Sequence, residues 1–232
     1  MTSEPDRRLV WDLPLRLFHW GIVICVAGAW ATAEAGVQWF EWHVRCGYGV
    51  VILVSFRIAW GFVGPRHARF TSFVSGPRAL AAYLRQLPAR QPALSAGHSP
   101  LGALAVLAML LLLAVQALTG LFANDTIFNN GPLYGYVSGA LSDRLTGLHK
   151  ANFDWLLVLI GLHLAAIAFY ALWKRTNLVR PMVTGRKPAD RLPPDAAIAN
   201  QRLWLAAMLV VIMSGVLWWV IETAPPASMS FF

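Results

Sequence analysis

The sequence predicts an all-α, polytopic membrane protein: a bundle of four transmembrane helices with one additional transmembrane helix at the C-terminus. Three observations predict it. Apolar residues make up 57% of the 232-residue chain and charged residues only 13%, too little polar surface for an ordinary soluble domain. Five windows are long enough to cross about 30 Å of hydrocarbon: Leu13 to Ala33, His43 to Val63, Leu101 to Ala123, Leu148 to Trp173 and Leu203 to Ile221. The basic residues also cluster in alternate connections. Gly64 to Pro100 holds Arg66, Arg69, Arg78, Arg85 and Arg90 with no acid, and Lys174 to Arg202 holds seven basic residues against Asp190 and Asp195.

That clustering places both basic connections in the cytoplasm, the N-terminus with them and, after five crossings, the C-terminus outside, in the periplasm of a bacterial inner membrane. The net charge of +8 is thus a topology signal, with no nucleic acid expected; the basic face is suited to anionic membrane lipid. Three segments follow: 1–187 with four helices, a cytoplasmic linker at 188–202, and 203–232 with the fifth helix and an outer tail.

The first helix follows Arg7 and Arg8 and runs to Ala31-Thr32-Ala33, an imitation of a secretory leader with its small-residue cleavage site. Glu4, Asp6 and Asp12 interrupt that leader, and the run is long for a signal core, so the expectation is a retained helix. It carries His19 one to two turns inside the cytoplasmic face, with Trp11 and Trp20 at interfacial depth and Arg16 able to snorkel. The second helix opens at the outer face with EWHVRCGYGVVILVSFRIAW. His43 lies near the exterior, and Gly47 one turn beyond it leaves room for a bulky planar cofactor. Close helix packing is the competing explanation for Gly47 and Gly49. Arg57 is deep for an idle charge; it either pairs with an acidic group of a cofactor or snorkels. Cys25 and Cys46 act as small apolar fillers.

The third helix has no charge. After it, Asn124 to Gly147 is a long connection rich in Gly, Asn and aromatic residues, suited to covering the outer end of the bundle as a docking or gating surface. The fourth helix contains LHKANFDWLLVLIGLHLAAIAFYALW. His149 and His163 are fourteen residues apart, about 21 Å and nearly whole turns on a helix, so they point the same way from two depths. Asp154 is placed to order the outer of the two by a hydrogen bond.

With alternating helix directions, His149 shares the outer level with His43, and His163 shares the inner level with His19. Facing histidines from different helices are the means by which a bundle grips porphyrin iron from both sides. Two such irons stand about 20 Å apart along the membrane normal, a path for electrons. No C-x-x-C-H occurs, so the haems are of the b type. His67, in GPRHARF, is the weaker candidate for the place of His43. His98, in GHSPLG, is expected to cap a helix or lie at the interface.

These residues resemble the bacterial di-haem cytochromes b of the cytochrome b561 family, which includes the b-type cytochrome subunits of membrane-bound nickel-iron hydrogenases. The similarity covers about Val10 to Lys187. It rests on LPLRLFHW, on WHVRCGYGVVILVSFRIAW leading to GFVGPRHARF, on TGLF with NDTIFNNGPL, and on LHKANFDWLLVLIGLH followed by LWKRTNLVRPM. It implies that His19, His43, His149 and His163 are the axial ligands of two haem b; the fifth helix lies outside it. Iron held by two histidines has no open position, so outer-sphere electron transfer is its chemistry. The expected function is electron transfer between the quinone pool, ubiquinone or menaquinone, and a partner at the outer face, either a c-type cytochrome or a dehydrogenase or hydrogenase subunit. The alternative is an oxidoreductase that takes electrons from superoxide and passes them to ubiquinone, using Arg45, Arg144 and Lys150 as an outer cationic patch. A zinc or proton transporter is disfavoured by the shortage of intramembrane carboxylates and of inverted repeats.

Overall fold

The computed structural model describes residues 6–90, 96–127 and 129–226; Glu4 of the leader and the end of the outer tail lie outside them. Its helices are α1 (Leu13–Glu34), α2 (Phe40–Val63), α3 (Phe70–Phe73), α4 (Pro77–Gln86), α5 (Pro100–Leu121), α6 (Gly139–Leu172), α7 (Val179–Thr184) and α8 (Leu203–Glu222). Five of these, α1, α2, α5, α6 and α8, are long and apolar enough to cross a membrane. The fold is all-α apart from a two-stranded ribbon, β1 (Arg7–Leu9) with β2 (Arg186–Pro188).

The helix ends follow the sequence closely except at α6, which begins nine residues before the apolar window. Ser138 explains the early start. Its backbone oxygen receives the Ser142 N–H at 2.9 Å and its hydroxyl receives that of Leu141 at 3.3 Å, a serine cap on a polar first turn. Ser142, fully buried, donates to the Phe122 carbonyl at 2.6 Å. The connection expected to run to Gly147 is therefore helical from Gly139 onward.

The chain divides into two compact units. One comprises Met1–Phe18, Arg57–Ala108 and Leu159–Ala206. Here the ribbon is antiparallel, with Arg7 opposite Pro188 and Leu9 opposite Arg186. The N–H groups of Val10 and Trp11 both reach the Gly185 carbonyl, at 2.8 and 3.0 Å. Gly185 has φ +78, and a Cβ there would lie 2.7 Å from the Trp11 carbonyl oxygen, so both conformation and space demand glycine. Asp12 caps α1 by accepting from the Leu15 N–H at 2.9 Å, and the same oxygen accepts from Trp60 Nε1 at 3.0 Å. Both side chains are almost fully buried, so the cap also ties α1 to α2.

Residues 188–202 are a connection with partners of its own. Ile198 N–H donates to Leu9 O at 2.9 Å, Gln201 Oε1 receives the Leu13 N–H at 2.8 Å, and Arg202 donates to Val63 O at the end of α2 at 2.6 Å.

The other unit comprises His19–Phe56, Met109–Val158 and Ala207–Phe232. Its α1 and α2 segments run antiparallel with small residues interleaved. A Cβ built on Gly28 would meet Cys46 Sγ at 2.9 Å, one on Gly49 would meet Cys25 Sγ at 2.7 Å, and one on Gly21 would meet Leu53 at 3.2 Å. Each glycine is the hole for a knob on the other helix, the close approach by which helices associate in lipid. Trp30 of α1 meets Phe153 of α6 with ring centres 6.2 Å apart, and α6 lies against α5 through Asn152, described next.

Candidate functional site

Polar side chains are scarce in α5, and the two it carries, with Asn152 of α6, meet at His149. Gln116 and Thr119 are the only polar side chains between Leu101 and Leu121. His149 Nδ1 donates to the Gln116 carbonyl at 2.9 Å, with Thr119 Oγ1 at 3.3 Å. A carbonyl can only accept, so the proton sits on Nδ1 and the lone pair on Nε2. That lone pair receives the Gln116 amide nitrogen at 3.1 Å. Asn152, one turn after His149 and 5% exposed, fixes the Gln116 amide by donating to its Oε1 at 2.6 Å and also donates to Leu112 O at 3.0 Å. Gly120 completes the seat. A Cβ there would stand 2.8 Å from the imidazole, so only a bare backbone lets the ring lie against α5.

Across from it, His43 Nδ1 donates to the Ala29 carbonyl of α1 at 2.9 Å. This again leaves the lone pair on Nε2. The two rings stand with centroids 6.2 Å apart and planes at 77°. Gly47, one turn along α2 from His43, faces open space: a Cβ there would meet nothing within 4 Å. Gly47 and Gly49, alike in sequence, have different surroundings, since Gly49 holds Cys25 and Gly47 holds nothing.

This geometry fits iron in a porphyrin. Metal–nitrogen bonds of about 2 Å, plus roughly 1 Å from each nitrogen to its ring centre, put two trans imidazoles about 6 Å apart. Nδ1 protons held by backbone carbonyls are the usual means of orienting such ligands and raising their basicity. The Gln116 amide nitrogen lies against the Nε2 through which His149 would hold iron. Among the described residues no three His, Cys, Asp or Glu side chains gather as they would around a bare metal ion.

The remaining candidates are placed as follows. His19 belongs to the same unit, half-buried, its ring edge-on to Trp20 at 5.0 Å. His163, half-buried on α6, belongs to the other unit. Arg57 is also in that unit and does not snorkel: it is 1% exposed, packed over Phe70 at 5.1 Å and Phe73 at 5.8 Å. Among the described residues neither Nη1 nor Nη2 has a hydrogen-bond partner. His67 is bound by its Nε2 to Ala196 O at 2.7 Å. His98 packs against Trp11 and Phe73, and the next residue, Ser99, caps α5 by accepting from the Gly102 N–H at 3.1 Å. Asp154 is exposed, and the ordering contact expected of it is made by Asn152 through Gln116. Arg45 is engaged with Glu41 at 2.5 Å.

Sequence reasoning missed Gln116, Thr119, Gly120 and Asn152. The signal was available: a lone amide and hydroxyl in an otherwise apolar helix.

Five apolar helices among the described residues and two imidazoles 6.2 Å apart, each bonded to a backbone carbonyl, are the features of a membrane b-type cytochrome. The chain belongs to the prokaryotic cytochrome b561 family, whose model matches residues 10–185. It is 28% identical to a protein of Rhodobacter capsulatus named "Probable Ni/Fe-hydrogenase B-type cytochrome subunit", over 77% of this chain and 80% of that one. It is 27% identical to a protein of the same name from Azotobacter chroococcum mcd 1, over 80% of this chain and 90% of that one. No solved structure matches. The protein is thus a multi-pass membrane cytochrome of the b type, built for electron transfer.

Proposed function

We propose that the chain binds two haem b groups, one between His43 and His149 and one between His19 and His163, and carries electrons between the quinone pool and a redox partner at the outer face of the inner membrane. The observation that carries this reading is the His43–His149 pair, 6.2 Å apart with both Nδ1 protons on backbone carbonyls. Bis-histidine iron supplies one-electron transfer without an open coordination position. The protein's residues do the rest. His43 and His149 present Nε2, Gln116 and Thr119 fix the orientation of the His149 ring, Gly120 seats it, and Gly47 leaves room for the porphyrin edge. Arg57 receives a haem carboxylate on the inner side, which gives its buried guanidinium the acceptor it lacks among the described residues.

The relatives' printed name supports a hydrogenase subunit as the outer partner, ahead of a c-type cytochrome or another dehydrogenase. The quinone is ubiquinone or menaquinone. The N-terminus is cytoplasmic and the C-terminus periplasmic, an orientation supported by the basic residues of Gly64 to Pro100 and Lys174 to Arg202.

The test is spectral. Purified protein should give a reduced-minus-oxidised b-type spectrum with two haems per chain. His43→Ala and His149→Ala should each abolish one and the same component, His19→Ala and His163→Ala the other. Loss in any other pairing overturns the assignment. Fast haem reduction by pulsed superoxide would instead favour the superoxide-oxidising alternative. Of its three expected outer cations, Arg45 is partly neutralised by Glu41.

A further inference from the structure

The unit that contains Arg57 has a second polar feature, distinct from the histidine pair. A cavity of about 260 Å³ is lined by Arg66, His67, Ser72, Phe73, His98 and Pro193, among others. Its walls are the turn after α2, helix α3 and the chain entering α5, so it stands just beyond two stretches of hydrocarbon length. His98 packs there against two aromatic rings, with ring centres 4.8 Å from Trp11 and 4.7 Å from Phe73. Its Nδ1 is buried and has no hydrogen-bond partner among the described residues. A buried polar atom of that kind is costly unless a group beyond the chain satisfies it.

The surrounding charge specifies what that something is. Arg57, Lys187 and His67 act on His98 as positive neighbours, and Lys187 Nζ lies over the Trp11 ring at 5.6 Å while donating to Ala96 O at 2.9 Å. Arg66 lines the cavity and also donates to Asp195 O at 3.1 Å. Facing these is one carboxylate, Asp12, whose oxygen is already taken by Leu15 and Trp60. Burial and these cations together push His98 down to about 3, and burial pushes Lys187 down to about 8. Among the described residues the cations around His98 therefore outnumber the carboxylates, just beyond the ends of two helices long enough to cross hydrocarbon.

We propose that this cavity binds a phosphate group, that of an acidic phospholipid headgroup, with Arg66 and Lys187 supplying the charge and His98 Nδ1, protonated, the directed hydrogen bond. A phosphate offers several acceptor oxygens to donors on different walls, and at 260 Å³ the space admits a phosphoglycerol group. The site is independent of the haem ligands and stands or falls separately from the proposed electron path.

The experiment uses the delipidated, haem-loaded full chain in neutral detergent. Its Tm is followed during addition of phosphatidylglycerol or phosphatidylcholine, and separately of inorganic phosphate against chloride at matched ionic strength. Phosphatidylglycerol should raise the Tm several degrees more than phosphatidylcholine. His98→Phe, which keeps the aromatic stack, and Arg66→Gln should each remove at least half of that excess while retaining the wild-type haem spectrum as proof of folding. A matching shift with inorganic phosphate, lost in the same variants, supports the site and names soluble phosphate as its occupant. Equal shifts with both lipids and none with phosphate, or variants that keep the full excess, overturn the proposal.

Discussion

At the scale of the residue, the position of His149 depends on an atom that is not there. A Cβ on Gly120 would stand 2.8 Å from the imidazole, whereas one on Gly147 would meet nothing within 4 Å. Gly120→Ala is therefore expected to dislodge the ring and, with His149 holding haem as proposed, to lose one of the two proposed haems. Gly147→Ala, two residues from the same histidine, should keep both. Pyridine haemochrome quantitation distinguishes the outcomes. The histidines themselves were legible in the sequence because an imidazole in an apolar helix is conspicuous and the fourteen-residue spacing gives it a direction. Their supports were not, since glycine, amide and hydroxyl acquire meaning only once α5 is seen against α6. Asp154 shows the converse: a charge near His149 invites a role, but two residues' displacement around the helix, about 200°, turns Asp154 outward and leaves Asn152 facing Gln116.

At the scale of the element, α1 and α2 hold together through reciprocal notches, Cys25 against Gly49 and Cys46 against Gly28. Gly49→Ala overfills its notch and should cost about 1–3 kcal/mol. Cys25→Ala alone empties it and should cost about 1 kcal/mol or somewhat more. Because the two changes share one space, the double variant should be more stable than Gly49→Ala alone, a coupling that chemical unfolding in detergent measures through a double-mutant cycle. A simple sum of the single effects would show that the notches do not interlock. The five long helices were legible from apolar length alone. The first turns of α6 were not, because Gly139 to Gly147 is polar and its helicity comes from the Ser138 cap and the Ser142 bond to Phe122, neither of which has a hydropathy signal.

At the scale of the whole molecule, the titratable groups outside the membrane-spanning helices set how stability responds to acid. His98 is pushed down to about 3 and His67 is lowered, in both cases mainly by burial. His98 is neutral in the folded chain near pH 6, and His67 holds its proton less readily there than in the unfolded chain, so both take up protons on unfolding below the ordinary value of about 6.5. The unfolded state then binds more protons, so stability is complete above that value and falls as the pH drops below it. Asp12, raised by burial, opposes this trend at more acid pH. The Tm should decline between pH 7 and pH 5, and His98→Gln should flatten the decline; an unchanged slope in that variant would remove His98 from the account. The hydrogen bond from Val10 to Gly185 joins the first and last residues that the family model covers. The matched segment is thus closed at its own two ends, with the ribbon and the 188–202 connection laid over the joint, and α8 leaves from there. A chain cut after Arg202, which keeps the ribbon and the 188–202 connection but lacks α8, is expected to give the same reduced-minus-oxidised spectrum as the full protein; a lost spectrum would show that α8 belongs to what the joint holds together.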